Sequence, residues 1–327
     1  MKSSISVVIP NYNGRELLAS NLPALYDALQ TSGIDDFEII VSDDASIDDS
    51  VEYIKKNYPG VILIENPVNR GFSGNTNIGI KRAGKELVFL LNSDVMLTEK
   101  YFTPLVRYFE DDDTFGVMGR IIGLDSDKIQ DGAKYPGYSY ADINSNTNYI
   151  CRIPTRGKTF SFFLSGANAL IDRSKLEFLG GFDEIFGPYY SEDADLGLRA
   201  WRAGYRCYYE HDAVCKHPNA TIIKKEKSGK VKVIAKRNKM LLHFIHLNNF
   251  ELLFYLLALA VKLLFRTLWL DLNYCKSFFL FAVSIPKAVE SKAKFKKLQK
   301  RNNVNLSVRN IAGFIKSNIS RNNVEIF

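Results

Sequence analysis

The sequence predicts an α/β protein with a mostly parallel sheet flanked by helices, continued by a C-terminal amphipathic helical extension. Through residue 120, apolar runs of strand length alternate with helical patterns, the mark of βαβ units. Polar punctuation follows the first, second and fourth runs, at the strand ends where such a sheet gathers its ligands. The 327 residues can bury a large core, and their charge is divided: residues 1–220 hold 22 Lys and Arg against 31 Asp and Glu, and residues 221–327 hold 21 against 5. The expected division is a main domain over 1–240 and a basic helical extension over 241–327.

In chain order, the apolar run 5–9 is a strand and 15–30 a helix. Strand 37–42 precedes helix 48–57, strand 61–64 precedes helix 73–83, and strand 86–91 precedes helix 99–109. Residues 123–158, rich in Asn, Asp, Tyr and Gly with weak periodicity, read as a long loop or irregular insertion near the site. An apolar strand resumes at 160–164, is interrupted at Ser165-Gly166-Ala167 and continues over 168–171. A helix runs from near Ser191 to just before Gly204, with Asp195 spaced to pair with Arg199. Residues 224–239 read as a mobile basic loop leading into a helix from about Lys236.

From 252 to 285 the chain is strongly apolar, yet the uncharged run before Lys262 covers only 252–261, short of the ~20 residues of a spanning helix. At ~100° per residue, Glu251, Tyr255, Lys262, Arg266, Asn273 and Lys276 share one narrow stripe. An in-plane amphipathic helix or a pair of them follows, with Lys287, Lys292, Lys294, Lys296, Lys297, Lys300 and Arg301 beside an anionic membrane surface. A helical hairpin packed on the main domain or on a second subunit is the other reading. Cys151, Cys207, Cys215 and Cys275 lack metal or redox spacing and read as reduced thiols. The amino terminus leaves no room for a signal peptide before the first strand. Together these point to a cytoplasmic protein, peripheral at the inner face of the cell membrane.

The first strand ends in Pro10-Asn11-Tyr12-Asn13-Gly14, where a dehydrogenase would carry G-x-G-x-x-G, so a dinucleotide oxidoreductase is disfavoured. A mononucleotide held by side chains and backbone at the strand ends takes its place. Asp43 suits a base or ribose by accepting hydrogen bonds, or it turns the chain and caps the next helix. Asp94, after the fourth strand, is the candidate ligand for Mg2+ or Mn2+, which bind through one or two carboxylates plus substrate phosphates; a lone Asp there is otherwise a turn residue. Asp193, at a helix start that favours its ionised form, is the candidate general base, or one of several acids decorating that helix end. His217, after another strand-like run, could serve a metal or a phosphate or be an ordinary imidazole.

In order, Val7-Val8-Ile9-Pro10-Asn11-Tyr12-Asn13-Gly14, Ser42-Asp43-Asp44-Ala45-Ser46, Asn69-Arg70-Gly71-Phe72 with Asn75, Leu91-Asn92-Ser93-Asp94, Gly180-Gly181-Phe182-Asp183-Glu184, Glu192-Asp193-Ala194-Asp195-Leu196 and Arg237-Asn238 make the chain resemble the family 2 inverting glycosyltransferases of GT-A fold, within them the bacterial rhamnosyltransferase-like group. The resemblance covers about residues 4–240. It implies a sugar transferred from a nucleotide-diphosphate sugar, with rhamnose one candidate, to a lipid-linked or saccharide acceptor in surface polysaccharide synthesis; no nucleic-acid partner is expected, since the apolar segment 252–261 fits a bilayer surface better than a phosphate backbone. It assigns Asp43 to the base, and Asn69, Gly71 and Asn75 to the nucleotide pocket. Pro10, Asn11, Asn13, Asn92 and Ser93 join them around the donor. Asp94, with His217, would bind the divalent cation, and Asp193 would deprotonate the acceptor. The first position of the family's D-x-D motif is Asn92 here. A nucleotidyltransferase, an inactive nucleotide-sugar-binding domain and a polyanion-binding scaffold are the competing readings.

Overall fold

The computed structural model describes residues 2–139, 141–144, 146–151, 158–218, 229–319 and 324–327. Its first half alternates as expected: β1 (Ile5–Asn11), α1 (Arg15–Thr31), β2 (Phe37–Asp43), α2 (Ser50–Asn57), β3 (Ile62–Glu65), α3 (Gly71–Arg82) and β4 (Leu87–Leu91). Apolar residues occupy both faces of these strands because helices cover both. Ile5, Val7 and Ile9 of β1 pack with Leu18, Leu22 and Leu25 of α1, while Val8 points to the other side with Ile80 of α3. At Gly79 a Cβ would lie 2.4 Å from Val8 Cγ1, so glycine lets α3 close onto the sheet.

Then come β5 (Met96–Leu97), a single turn α4 (Thr103–Val106) continued as a 3-10 turn over Arg107–Glu110, and the long β6 (Thr114–Gly123). The helix expected over 99–109 is reduced to these turns, Pro104 fixing the first of them. The expected insertion at 123–158 is built instead of short strands: β7 (Ser126–Asp131), β8 (Ala133–Lys134), β9 (Gly137–Ser139), β10 (Asp142–Asn144) and β11 (Asn148–Cys151). β7 pairs with β6, and β9 with β10.

β12 (Thr159–Phe160) is shorter than the expected 160–164, since Ser161 and Phe162 turn to bond Lys134. β13 (Asn168–Asp172), α5 (Arg173–Leu179), α6 (Glu192–Arg202) and β14 (Arg206–His217) complete the sheet. Its order is β12-β14-β6-β13-β4-β1-β2-β3, with β5 on β14 and β7 on β6. β1 to β4 are mutually parallel where they pair, and β14 runs parallel to β6. β13, antiparallel to both β4 and β6, is the reversed strand between the two halves.

α7 (Gly229–His246) begins seven residues before the expected start at Lys236 and runs through residue 240, the expected domain boundary. The basic stretch 224–228 lies outside the described residues. The amphipathic stretch of the extension forms a pair of helices joined by a short turn, α8 (Asn249–Leu268) and α9 (Leu272–Arg301). Asn248 and Glu251 form a capping box on α8, and the Asp271 side chain caps α9. Lys292 of α9 donates to the carbonyls of Phe244 and Leu247, closing the C-terminus of α7. α10 (Val308–Ile319) brings Phe314 against Trp201 of α6, and β15 (Val324–Ile326) pairs with β11. Among the described residues no helix is long and apolar enough to cross a membrane.

Candidate active site

The strand ends collect the expected polar residues in one connected lattice. Asn11 Nδ2 donates to Asp43 Oδ1 at 2.8 Å, and Asp43 also accepts from the amide and hydroxyl of Ser46 at 2.9 and 2.6 Å. Asn13 ties in through its amide to Ser46 Oγ and by accepting from the Ile47 amide. Pro10 belongs to β1 beside Ser42 of β2. Asn75 is buried and fully paired, donating to Ser42 O at 2.8 Å and accepting from Ser42 Oγ and Asn66. It braces the ends of β1 and β2 from within the protein.

Asp44, named from the sequence only as part of the Ser42–Ser46 motif, carries the adjoining loop. Its two oxygens accept from the amides of Arg70 and Gly71 at 2.8 and 2.9 Å, at the start of α3. A carboxylate on the free amides of a helix start is favoured by the helix dipole. Gly71 has φ +71°, and a Cβ there would meet Pro188 at 3.1 Å, so the position favours glycine. Asn69 lies in the same turn, accepting from the Gly71 amide and donating to the Asp44 carbonyl.

After β4, Asn92, Ser93 and Asp94 turn away from the sheet. His217, at the end of β14, places Nε2 3.1 Å from Asp94 Oδ2. The Asp94 contact holds the His217 imidazole above its usual pKa against the opposing effect of burial. Asp94 Oδ1 and Asn92 Oδ1 are buried without a protein partner. Such oxygens fit a hard cation that completes its shell from waters and substrate phosphates. No cluster of three His, Cys, Asp or Glu side chains forms among the described residues; Asp94 and His217 are the two potential ligands that the ends of β4 and β14 bring together here.

Asp193 sits in the first turn of α6, behind two successive non-glycine residues in left-handed conformation, Tyr190 at φ 76° and Ser191 at φ 74°. Each such residue costs on the order of 1–3 kcal/mol and persists only where its surroundings impose it. Here Asn238 of α7, fully buried, reaches the carbonyls of Tyr189 and Tyr190 at 2.8 Å each, and Arg237 holds the Gly187 carbonyl. Asp193 Oδ2 accepts from the Gly166 amide at 3.1 Å, while Oδ1 has no partner. The neighbouring Asn92 amide donates to Ala167 O at 3.1 Å. The Gly166–Ala167 segment therefore ties the Asp193 turn to the Asp94 turn. A Cβ at 166 would lie 2.7 Å from Asp193 Oδ1 and would push that carboxylate aside.

Burial raises the pKa of Asp193, with the Gly166 bond and Lys134 opposing it and Asp131 adding to it. Glu192 is raised by burial and then by the charge of Asp193. Lys134 and Asp131, paired to each other, lie in the segment expected to be irregular, and no sequence signal marked them. Asp195 faces away from this chemistry. It accepts from Arg199 Nε at 2.8 Å, the expected pairing, and from His246 Nε2 at 2.9 Å.

The profile described as Glycosyl transferase family 2 matches residues 6–180. The chain is 32% identical over 150 residues to the poly(ribitol-phosphate) beta-glucosyltransferase of Bacillus spizizenii, covering 45% of this chain and 22% of that one. It is 25% identical over 241 residues to the chondroitin synthase of Escherichia coli, covering 63% and 33%. The alignments thus span a third or less of these relatives' own lengths. Among solved structures, GalNAc-T7 with UDP, GalNAc and Mn2+ superposes with a TM-score of 0.66 at 16% identity, over 98% of this chain and 57% of that one. The mannosyltransferase PcManGT from Pyrobaculum calidifontis, with GDP-Man and Mn2+, gives 0.53 at 16%, over 98% and 87%. The two structures share the GT-A fold with this protein, and the profile match runs from β1 through α5, more than half the sequence: this chain belongs to glycosyl transferase family 2.

Proposed function

We propose that this protein is an inverting transferase that moves a sugar from a nucleotide-diphosphate donor to a hydroxyl of a surface-polysaccharide acceptor, lipid-linked or saccharide, at the cytoplasmic face of the membrane. The observation that carries this reading is the Gly166–Ala167 bridge. It couples a carboxylate raised in pKa, Asp193, to a turn with unpartnered buried oxygens, Asn92 and Asp94.

The lattice of Asn11, Asn13, Asp43 and Ser46 supports a nucleotide site at the ends of β1 and β2, with Asn69 and Gly71 at its edge. Asp94 and His217 would hold a divalent cation, which when bound neutralises charge developing on the leaving diphosphate. Asp193 takes the proton of the acceptor hydroxyl. The new bond to the anomeric carbon forms as the bond to the diphosphate oxygen breaks, and that bond's electron pair leaves with the nucleoside diphosphate. Attack from the face opposite the leaving group inverts the configuration.

The comparisons support a polysaccharide setting, since the two relatives are named for poly(ribitol-phosphate) glucosylation and chondroitin synthesis. The rhamnosyl reading rests on motif resemblance alone. Residues 241–327 form the extension, and the charge of the last third supports its placement at an anionic membrane.

Asp94→Ala is expected to weaken Mn2+-supported donor binding about tenfold or more, ~1.4 kcal/mol or above. It should also leave residual binding indifferent to EDTA. Calorimetry showing unchanged, metal-sensitive affinity in the variant would remove Asp94 from the metal role.

A further inference from the structure

The outer face of α8 lies open. Leu253, Leu257, Leu264 and Leu268 fall within ~60° of one another at helical spacing, and the turn beyond them presents Trp269 and Leu270 at 83% and 79% exposure. A contiguous apolar surface of this kind on a folded chain marks a contact site. On the opposite side of α8 lies a cavity of about 680 Å³ between α7, α8 and the start of α9. Phe250 and Phe254 line it while also standing exposed, so its apolar wall continues onto the outer face.

The cavity is basic. Lys236, Lys239, Lys262, Arg266 and Arg309 line it against the carboxylates of Asp142 and Glu251. Lys239 is paired with Asp142, Arg309 approaches Glu251 at 3.9 Å, and Lys236 and Arg266 share Asp271 at the turn. Lys262 has no carboxylate partner among the described residues. Tyr274 is 4% exposed, and its hydroxyl, buried in this cavity's lining, has no hydrogen-bond partner. Lys236, Lys262 and Arg266 stand 5.6, 5.9 and 5.8 Å from its ring centroid. The Tyr274 hydroxyl is thus a buried donor without a partner on a ring that Lys262, a cation without a carboxylate, approaches; an anionic oxygen would partner both.

We propose that this cavity binds the phosphate headgroup of an anionic membrane lipid, with the lipid's apolar chains lying along the open face of α8. Charge and apolarity select a lipid over other occupants. A soluble anion would use the cations and leave the leucine face bare, and a second copy of this basic extension would bring like charge to the cavity. The inference deepens the membrane placement proposed above and rests on it, while the transfer chemistry stands apart from it. The cavity also adjoins the catalytic loop through α7: Lys236 and Lys239 line it, and the intervening Arg237 and Asn238 grip the turn before Asp193.

The test is co-sedimentation of the full chain, without sugar nucleotide, on phosphatidylcholine vesicles with and without phosphatidylglycerol. The wild type should bind phosphatidylglycerol vesicles at least about tenfold more tightly, and L257E with L264E should bind neither. Tyr274→Phe, which keeps the ring and every charge, and Lys262→Gln should lose most of the preference, whereas diffuse attraction to the lysine run would be indifferent to Tyr274→Phe. Binding that is strong but unaltered by both cavity variants overturns the headgroup site and leaves the membrane placement standing. Absence of vesicle binding, with a dimer in solution that L257E dissociates, overturns both. Equal affinity for glycerol 3-phosphate in calorimetry shows a site for free phosphates and overturns the lipid.

Discussion

Asp193→Asn is expected to lower the turnover number by ~10²–10⁴, the range of a lost general base, while leaving donor affinity unchanged. The same substitution should make the fold more stable. Burial raises the carboxyl's pKa in the folded chain, so the protein loses stability as pH rises through that raised value and Asp193 ionises. Asparagine removes the buried charge and keeps an oxygen for the Gly166 amide. A melting temperature a few degrees above wild type at pH 8, at ~2–4 °C per kcal/mol for a chain of this size, would accompany the lost activity. The wild-type acid limb should lie well above pH ~3.9, the ordinary aspartate value, with activity falling as pH drops and Asp193 protonates. A variant with wild-type turnover would end the assignment, and one inactive but less stable would point to a structural role.

Asp195→Ala should be the most damaging change to the fold. Asp195, Arg199 and His246 are all buried, and Arg199 also donates to the carbonyls of Leu179 and Gly181 at 2.8 Å each. Removing the carboxylate leaves a buried guanidinium without its counter-charge, a loss of ~3–5 kcal/mol. The melting temperature should fall by roughly 10 °C at ~2–4 °C per kcal/mol. Burial pushes the His246 imidazole down to about 4 despite the Asp195 bond, so it is neutral and donates through Nε2. Arg199 holds Asp195 below the usual carboxylate range against burial. Both groups contribute stability above their unfolded values that is lost as pH falls. The wild type should therefore weaken from about pH 6.5 through 4 and further below. A thermal melt of the variant within 2 °C of wild type, a shift of ~1 kcal/mol or less, would contradict the network's role.

The elements legible in the sequence were those whose partners lie near in the chain. β1, β2 and β4 each bury residues on both sides and so read as apolar runs, and Asp195 and Arg199 sit one helical turn apart. β7 to β11 were not legible, because they are short and their sequences carry little alternation of apolar and polar residues, and β11 depends in part on a distant partner. It pairs with β15 at the far end of the chain. Lys134 and Asp131 were lost with them, although both act on Asp193. The extension was legible as amphipathic, one helix or a pair, but the place of the break was not: Leu270 adopts φ 53° and Asp271 caps the next helix, a turn that helical periodicity runs straight through. Asp44 was given no role of its own because that role depends on amides 26 and 27 positions away. At the site, Asp94, Asp193 and His217 lie where their strand and helix ends implied. What the sequence did not contain was the Gly166–Ala167 bridge between them.

The most direct measurement is calorimetric titration of the full chain with UDP, dTDP and GDP, each with and without Mn2+. One nucleoside diphosphate class should bind in the presence of Mn2+ and be released by EDTA. If none binds with or without the metal, the donor site described here is not one.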